Sequence, residues 1–278
     1  MTWWHTLPEK MSPVIFRLGS FQLRWYGVMY ILAFATVYFL VMYRYRVEGI
    51  TIKKEAAQNW FGYAVLGVLV GGRIGYVLFY DPEMILTNPL SIFLPFDVKN
   101  GFKFIGLAGM SFHGGVIGVF LLTVLHCHRS KVNFWELADL VVPAIPLGYT
   151  FGRLGNFINN ELYGRITDVP WGMYFPNDLS GQLRHPSQLY EAFFEGLFLF
   201  VILWSIRRKP KFSRLFLPFY LIGYGAVRFF IEFVREPDAH LGTVLGPLTM
   251  GQVLCMVMIV IGLVLVPIAK KQNPRYRA

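Results

Sequence analysis

The chain has 278 residues, 55% hydrophobic and 15% charged, with a formal net charge of +10 and a mean hydropathy of +0.48. No soluble domain of this length needs so apolar a sequence, so the composition excludes an ordinary soluble protein and one with a single anchor, and points to an integral membrane protein. The positive excess would suggest nucleic acid in a soluble chain; here it reads as a topological bias, and no nucleic-acid partner is expected.

Residues 1–11 hold Trp3, Trp4, His5 and Glu9 in place of a basic-then-apolar leader, so the first span is expected to act as its own insertion signal. Residues 11–26 alternate apolar and polar around Gly19-Ser20, which predicts a short hairpin or interfacial segment. A first span follows at about 26–42. The second, about 60–80, carries Gly67, Gly71 and Gly75 four residues apart, a ridge suited to close helix packing, and an internal Arg73 expected to be buried and paired or to snorkel. Residues 81–104, with Phe93, Pro95, Phe96 and Phe102, are too apolar for a free loop and read as an interfacial arm and candidate lipid gate. The third span, about 105–127, contains Phe112-His113-Gly114-Gly115, with His113 several residues inside it. The fourth, about 134–151, contains Pro143 and Pro146, which are expected to kink it and open backbone groups near the polar stretch that follows. An extramembrane loop at 165–185 leads to Ser187, a candidate cap for the fifth span at about 188–206, where Gln188, Glu191 and Glu195 share a face. The sixth span, about 215–234, carries Tyr224, Arg228 and Glu232 at successive i+4 positions. The seventh, about 250–269, is almost wholly apolar.

Seven spans allow a charge test. After the odd-numbered spans come Arg44, Arg46, Lys53, Lys54, then Arg129, Lys131, then Arg207, Arg208, Lys209, Lys211, Arg214, then Lys270, Lys271, Arg275, Arg277, about fifteen cations against about nine on the opposite side. The expected fold is therefore an all-α polytopic membrane protein with seven transmembrane helices, N-terminus outside and C-terminus cytoplasmic. It forms a single integral membrane domain over 1–278, with interfacial segments at about 1–25, 81–104 and 152–185. Cys127 and Cys255 suggest neither a disulfide framework nor a metal site, and the neighbouring side chains of His126-Cys127-His128 would point apart on a helix.

The chain is organised around residues 152–164 (GRLGNFINNELYG), where an apolar run turns abruptly polar. If the helix continues, Arg153, Asn156 and Asn160 line one face. A guanidinium fork with amide donors suits a phosphate, and polar groups packed at membrane depth favour function over a capped helix end. Arg228 beside Tyr224 repeats that chemistry, against the plainer reading of a structural i+4 pair with Glu232. His113 is a titratable group set among small residues, equally readable as a satisfied core histidine. Glu191 and Glu195 are expected to satisfy neighbouring polar groups or arginines, not to react.

The 152–164 stretch closely resembles the signature of the bacterial phosphatidylglycerol–prolipoprotein diacylglyceryl transferases. The resemblance extends to Phe112 through Gly115, to His185 through Glu191, and to Tyr224, Arg228 and Glu232, in the same order. It implies transfer of a diacylglyceryl group from phosphatidylglycerol to the lipobox cysteine thiol of a preprolipoprotein, with a thioether formed and glycerol phosphate released. It further implies Arg153 and Arg228 on the phosphate, and Asn156, Tyr26 and Tyr224 orienting the head group. Glu161 and Glu232 would fix the arginines, Gly164 would leave room, and His113 would accept the thiol proton. No cofactor or metal is required, since two guanidiniums supply the positive field. The partners implied are phosphatidylglycerol, preprolipoprotein signal peptides and the lipid bilayer, at the bacterial cytoplasmic membrane with the site toward the outer side. A transporter or channel for an anionic lipid, and a lipid-binding scaffold, are the rival readings.

Overall fold

The computed structural model describes residues 3–19, 21–87, 89–92, 96–97, 103–104, 109–236 and 243–273. The chain is mostly helical: α1 (Trp25–Val47), α2 (Lys54–Tyr80), α3 (Phe112–Ser130), α4 (Phe134–Val141), α5 (Ile145–Ile158), α6 (Ser187–Ile206), α7 (Phe216–Ile231) and α8 (Met250–Gln272). Among the described residues α1, α2, α6 and α8 are long and apolar enough to cross a membrane, and α7 is apolar but shorter. The hairpin expected near the N-terminus is present as β1 (Val14–Leu18) paired with β2 (Phe21–Arg24). Of the arm at 81–104, residues Met84–Thr87 and Pro89–Ile92 are helical and Phe96–Asp97 pairs with Lys103–Phe104. Phe93, Pro95 and Phe102, on which the gate reading rested, lie outside the described residues.

The chain divides into two compact units, one of Met1–Phe16, Leu23–Ile50 and Ala138–Ala278, the other of Arg17–Gln22 and Thr51–Leu137. In the first unit α5 packs between α1 and α6, and α7 packs along α8. Its apolar core includes Val142, Leu203 and Phe216, and a second cluster of Phe157, Met173 and Phe175 lies under the loop at 165–185, with Leu7 and Met11 packed on it.

The two prolines act as their chemistry requires, but not where expected. The fourth span is broken into α4, one tight turn at Val142–Ala144, and α5. Pro143 has no N–H for the Asp139 carbonyl four residues back, so that carbonyl is left without a helical donor. Arg44 supplies one: its Nη1 donates to Asp139 O and to Leu140 O (2.7 Å), while its Nε pairs with Glu48 at 2.7 Å. The opened carbonyls therefore anchor the far end of α1, not the polar stretch after α5. Arg207 reaches the same Glu48 at 2.7 Å.

α6 begins at Ser187, and the expected cap is absent: the Ser187 hydroxyl donates instead to Leu162 O at 3.0 Å. Its second part, Ala192–Phe198, widens into a π-helical turn. Gly196 in that turn lies against α5, where a Cβ would meet Pro146 O at 3.2 Å and the Thr150 side chain. Thr150 fastens the contact by donating to Ala192 O at 3.2 Å.

In the second unit the glycine ridge does what its spacing predicts. A Cβ on Gly67 would lie 2.7 Å from Val119 Cα, one on Gly71 2.8 Å from Gly118 Cα, and one on Gly75 2.7 Å from Gly114 Cα. The backbones of α2 and α3 thus touch along three turns. Arg73 is buried, with Nε donating to Ile92 O at 2.8 Å and Nη1 to Gly109 O at 3.1 Å. α3 starts later than the sequence suggested: Ser111 caps it, accepting from Gly114 N at 3.3 Å. His113 is consequently the second helical residue and is exposed, neither deep in a span nor a core histidine.

Candidate functional site

The central stretch ends a helix instead of continuing one. α5 stops at Ile158, and Asn160 (φ +56°) and Leu162 (φ +59°) adopt the left-handed conformation. Asn tolerates that region and commonly replaces glycine just past a helix end; a leucine there is strained and must be held. The holding groups come from α6: Ser187 on Leu162 O, and Gln188 Nε2 donating to Glu161 O at 2.7 Å. Asn177 donates to Asn160 O at 2.9 Å. Asn160 therefore leaves the expected face and secures the turn with its backbone, while Arg153 and Asn156 remain neighbours, Arg153 Nη1 donating to Asn156 Oδ1 at 3.4 Å.

Within the first unit α5, α6 and α7 bring three guanidiniums and three carboxylates together. Glu191, fully buried, is the hub: Oε2 lies 2.7 Å from Arg153 Nε, and Oε1 lies 3.0 Å from Arg228 Nη1 and 3.6 Å from Arg235 Nε. Arg228 Nη2 pairs with Glu232 Oε2 at 2.8 Å, and Arg228 Nη1 is 3.7 Å from Glu195 Oε1. The single Nε–H of Arg153 points to the Tyr149 hydroxyl, which in turn donates to Glu195. The Arg153–Glu191 contact is thus ionic without a directed hydrogen bond. Tyr149 also lies under the Arg153 guanidinium at 4.8 Å and meets Tyr224 edge-on at 5.7 Å. Glu232 receives the Thr249 hydroxyl at 3.0 Å, and Thr249 and Gln252 form the capping box of α8.

Other expected residues stand elsewhere. Among the described residues Glu161 pairs with no arginine; it accepts from Asn156 Nδ2 at 2.7 Å and Asn159 Nδ2 at 3.4 Å, and so orients the amides. Tyr26 on α1 packs on Gly155 beside Asn156 and Glu161, its hydroxyl 3.1 Å from that of Tyr30. Gly164 does not leave room for a ligand: its N–H donates to His185 O at 2.8 Å, and a Cβ would meet His185 Cβ at 2.7 Å and the Val234 carbonyl. It permits two backbone segments to touch. His113 belongs to the second unit.

Sequence reasoning missed Tyr149, Arg235 and Thr249. Tyr149 was findable, since it stands four residues before Arg153, and Thr249-x-x-Gln252 is a legible capping signature. Nothing local marks Arg235, which reaches Glu191 only through the fold.

The arrangement is a partly buried cluster of three arginines and three carboxylates. In a low-dielectric bundle, guanidiniums persist only if paired, and carboxylates spread over three arginines keep them charged and fixed. The Arg153 and Arg235 side chains keep 15% exposure and Arg228 9%, so the guanidiniums are held in fixed positions while staying partly accessible.

The loop at 165–185 is tied down by a second network. Arg184 donates from Nε to Asp178 at 2.7 Å and from Nη1 to Glu236 at 3.0 Å. The Arg184 hydrogen bond holds the Asp178 carboxyl down at about 2, below its usual value near 3.9. Its contribution, about 1 kcal/mol after solvent screening, is therefore present above about pH 4 and is lost as pH falls toward 2. Thermal midpoints of the wild type and Asp178→Asn should differ at pH 6 and converge as pH falls through that window. A difference that stays constant to pH 2.5 would remove Asp178 as the group responsible. Burial lowers His185 below its ordinary range, and its Nδ1 lies 3.2 Å from the Tyr190 hydroxyl.

The model of the family described as prolipoprotein diacylglyceryl transferase matches residues 13–268. The chain belongs to the prolipoprotein diacylglyceryl transferase family. A relative in Chlorobaculum tepidum is 54% identical over 263 residues, covering 94% of this chain and 91% of its own length. Relatives in Bordetella avium, 46% identical over 96% of this chain and 97% of theirs, and Wolinella succinogenes, 46% over 94% of each, are similar along the same extent. All three carry the name phosphatidylglycerol–prolipoprotein diacylglyceryl transferase. The Arg–Glu cluster of α5, α6 and α7, the turn after α5 and the glycine ridge all lie inside the family match.

Proposed function

We propose that this chain transfers the diacylglyceryl group of phosphatidylglycerol to the lipobox cysteine of preprolipoproteins, the first step of bacterial lipoprotein maturation. The observation that carries the reading is a pair of guanidiniums, the half-buried Arg153 and the buried Arg228, held by the shared Glu191 in a chain of this family. The thiolate sulfur attacks the glycerol carbon that bears the phosphate ester. A C–S bond forms, the C–O bond breaks, and the electron pair leaves on the phosphate oxygen. Arg153 and Arg228 stabilise that departing charge, while Asn156, Tyr26 and Tyr224 orient the head group and Glu232 holds Arg228. Glu161 acts through Asn156, and Gly164 through the turn it closes. His113 is assigned the thiol proton on the family resemblance, and the proton ends on the released glycerol phosphate, so the reaction is balanced. The enzyme works as one multi-pass domain of the cytoplasmic membrane, with seven spans, the N-terminus outside, the C-terminus cytoplasmic and the site toward the outer side. The charge asymmetry of the connecting segments supports that orientation.

The test is a mass assay on purified protein with phosphatidylglycerol and a lipobox peptide. Wild type is expected to add a diacylglyceryl group to the cysteine, and Arg153→Ala to reduce turnover by about 10²-fold or more. His113→Gln should lower turnover and alter its pH profile; near-normal turnover with an unchanged profile would discard His113 as the base. No adduct from folded wild type would favour an anionic-lipid transporter.

A further inference from the structure

Glu195 has no role in the chemistry above, yet it is a carboxylate kept wholly out of solvent. It lies in the α6 π-turn, a feature that proteins place often at functional sites. The turn is admitted by Gly196 against α5 and brings Glu195 beside Tyr149. Glu195 Oε1 has no hydrogen-bond partner among the described residues and faces Arg228 Nη1 at 3.7 Å. Its other oxygen accepts from Tyr149, whose hydroxyl accepts the only Nε–H of Arg153. The pairing of Glu195 with Arg228 is ionic, without a directed hydrogen bond; the hydrogen bond it does make runs through Tyr149. Glu195 thus contacts Arg153 through an intervening hydroxyl, and that geometry sets direction more than charge. With Nε committed to Tyr149, Nη1 of Arg153 reaches Asn156 Oδ1 at 3.4 Å, on the side where Tyr26 packs on Gly155.

We propose that Glu195, acting through the Tyr149 hydroxyl, is a positioning residue that aims the Arg153 fork at the phosphate as it leaves. The inference rests on the transferase reading. An arginine turned even slightly off still binds a ground-state phosphate by charge but meets the departing anion poorly, so the effect falls on turnover. Tyr149→Phe removes only the hydroxyl and keeps the ring against Tyr224. It is the variant that folds if Glu195→Gln does not.

The experiment measures kcat and KM for phosphatidylglycerol with the full chain and a lipobox peptide, for Tyr149→Phe, Glu195→Gln and the double variant, with thermal midpoints recorded alongside. Tyr149→Phe and Glu195→Gln should each lower kcat by roughly 10–100-fold with KM changed by less than about threefold. The double variant should be no slower than the slower single one, because the two act as a unit. Wild-type kcat in Tyr149→Phe, a loss expressed in KM instead, or single losses that multiply would each overturn the proposal while leaving the transferase intact. A wild type that forms no adduct would overturn both.

Discussion

Arg228→Ala should cost the first unit about 3–5 kcal/mol, the largest loss expected from one side chain here. Arg228 is the only described cation within 4 Å of Glu195 and of all three buried carboxylates together: Glu191 at 3.0 Å, Glu195 at 3.7 Å and Glu232 at 2.8 Å. Removing it leaves three carboxylates to two arginines, Arg153 and Arg235, and takes from Glu195 the one described cation within 4 Å. The thermal midpoint in detergent should fall by on the order of 10 °C, and diacylglyceryl transfer should be lost. Arg228→Lys separates fold from chemistry. One ammonium replaces the charge but not the fork that reaches Glu191 and Glu232 together, so much of the stability should return and little of the turnover. An alanine variant melting within about two degrees of wild type would mean that the cluster is held by something other than Arg228.

Gly71→Ala and Gly118→Ala should each cost about 1–3 kcal/mol, although alanine is the better helix former. The new methyl meets main chain, 2.8 Å from Gly118 Cα in one case and 2.9 Å from Gly71 Cα in the other, and main chain in a helix pair has no rotamer to retreat into. Gly62→Ala, in the same helix with nothing within 4 Å of the added carbon, is the control. It should be neutral or slightly stabilising by propensity alone. If all three variants melt alike, the ridge is not a packing contact.

Much of this protein is written in local pattern. Apolar runs marked the helices, and the four-residue spacing of Gly67, Gly71 and Gly75 announced the backbone contact with α3 before any partner was known. Gln188, Glu191 and Glu195 stand at the spacing of one helix face, and all three are buried. Such features are legible because their cause lies within a few residues.

The readings that the structure changed depend on what arrives from a distance. Whether α5 continued through Asn160 could not be read locally, because the turn is secured by Ser187 and Gln188 from α6. Gly164 looked like space for a ligand until Val234 and His185 were found to fill it. Glu161 looked like an arginine partner until the amides of Asn156 and Asn159 claimed it. Pro143 announced an unpaired carbonyl, but only the fold showed Arg44 answering it. His113 moved from the inside of a span to the first turn of α3 because Ser111 caps the helix there.

The sequence by itself determined the solvent this protein folds in, its helices, its family and the residue types of its chemistry, since composition and short-range spacing encode those directly. Tertiary structure alone decided how charge is shared: that Glu191 bridges Arg153 and Arg228, that Arg235 joins them, and that Tyr149 stands between Arg153 and Glu195. The physical reason is that a buried charge is defined by its neighbours within a few ångströms, and here those neighbours come from three helices far apart in the chain.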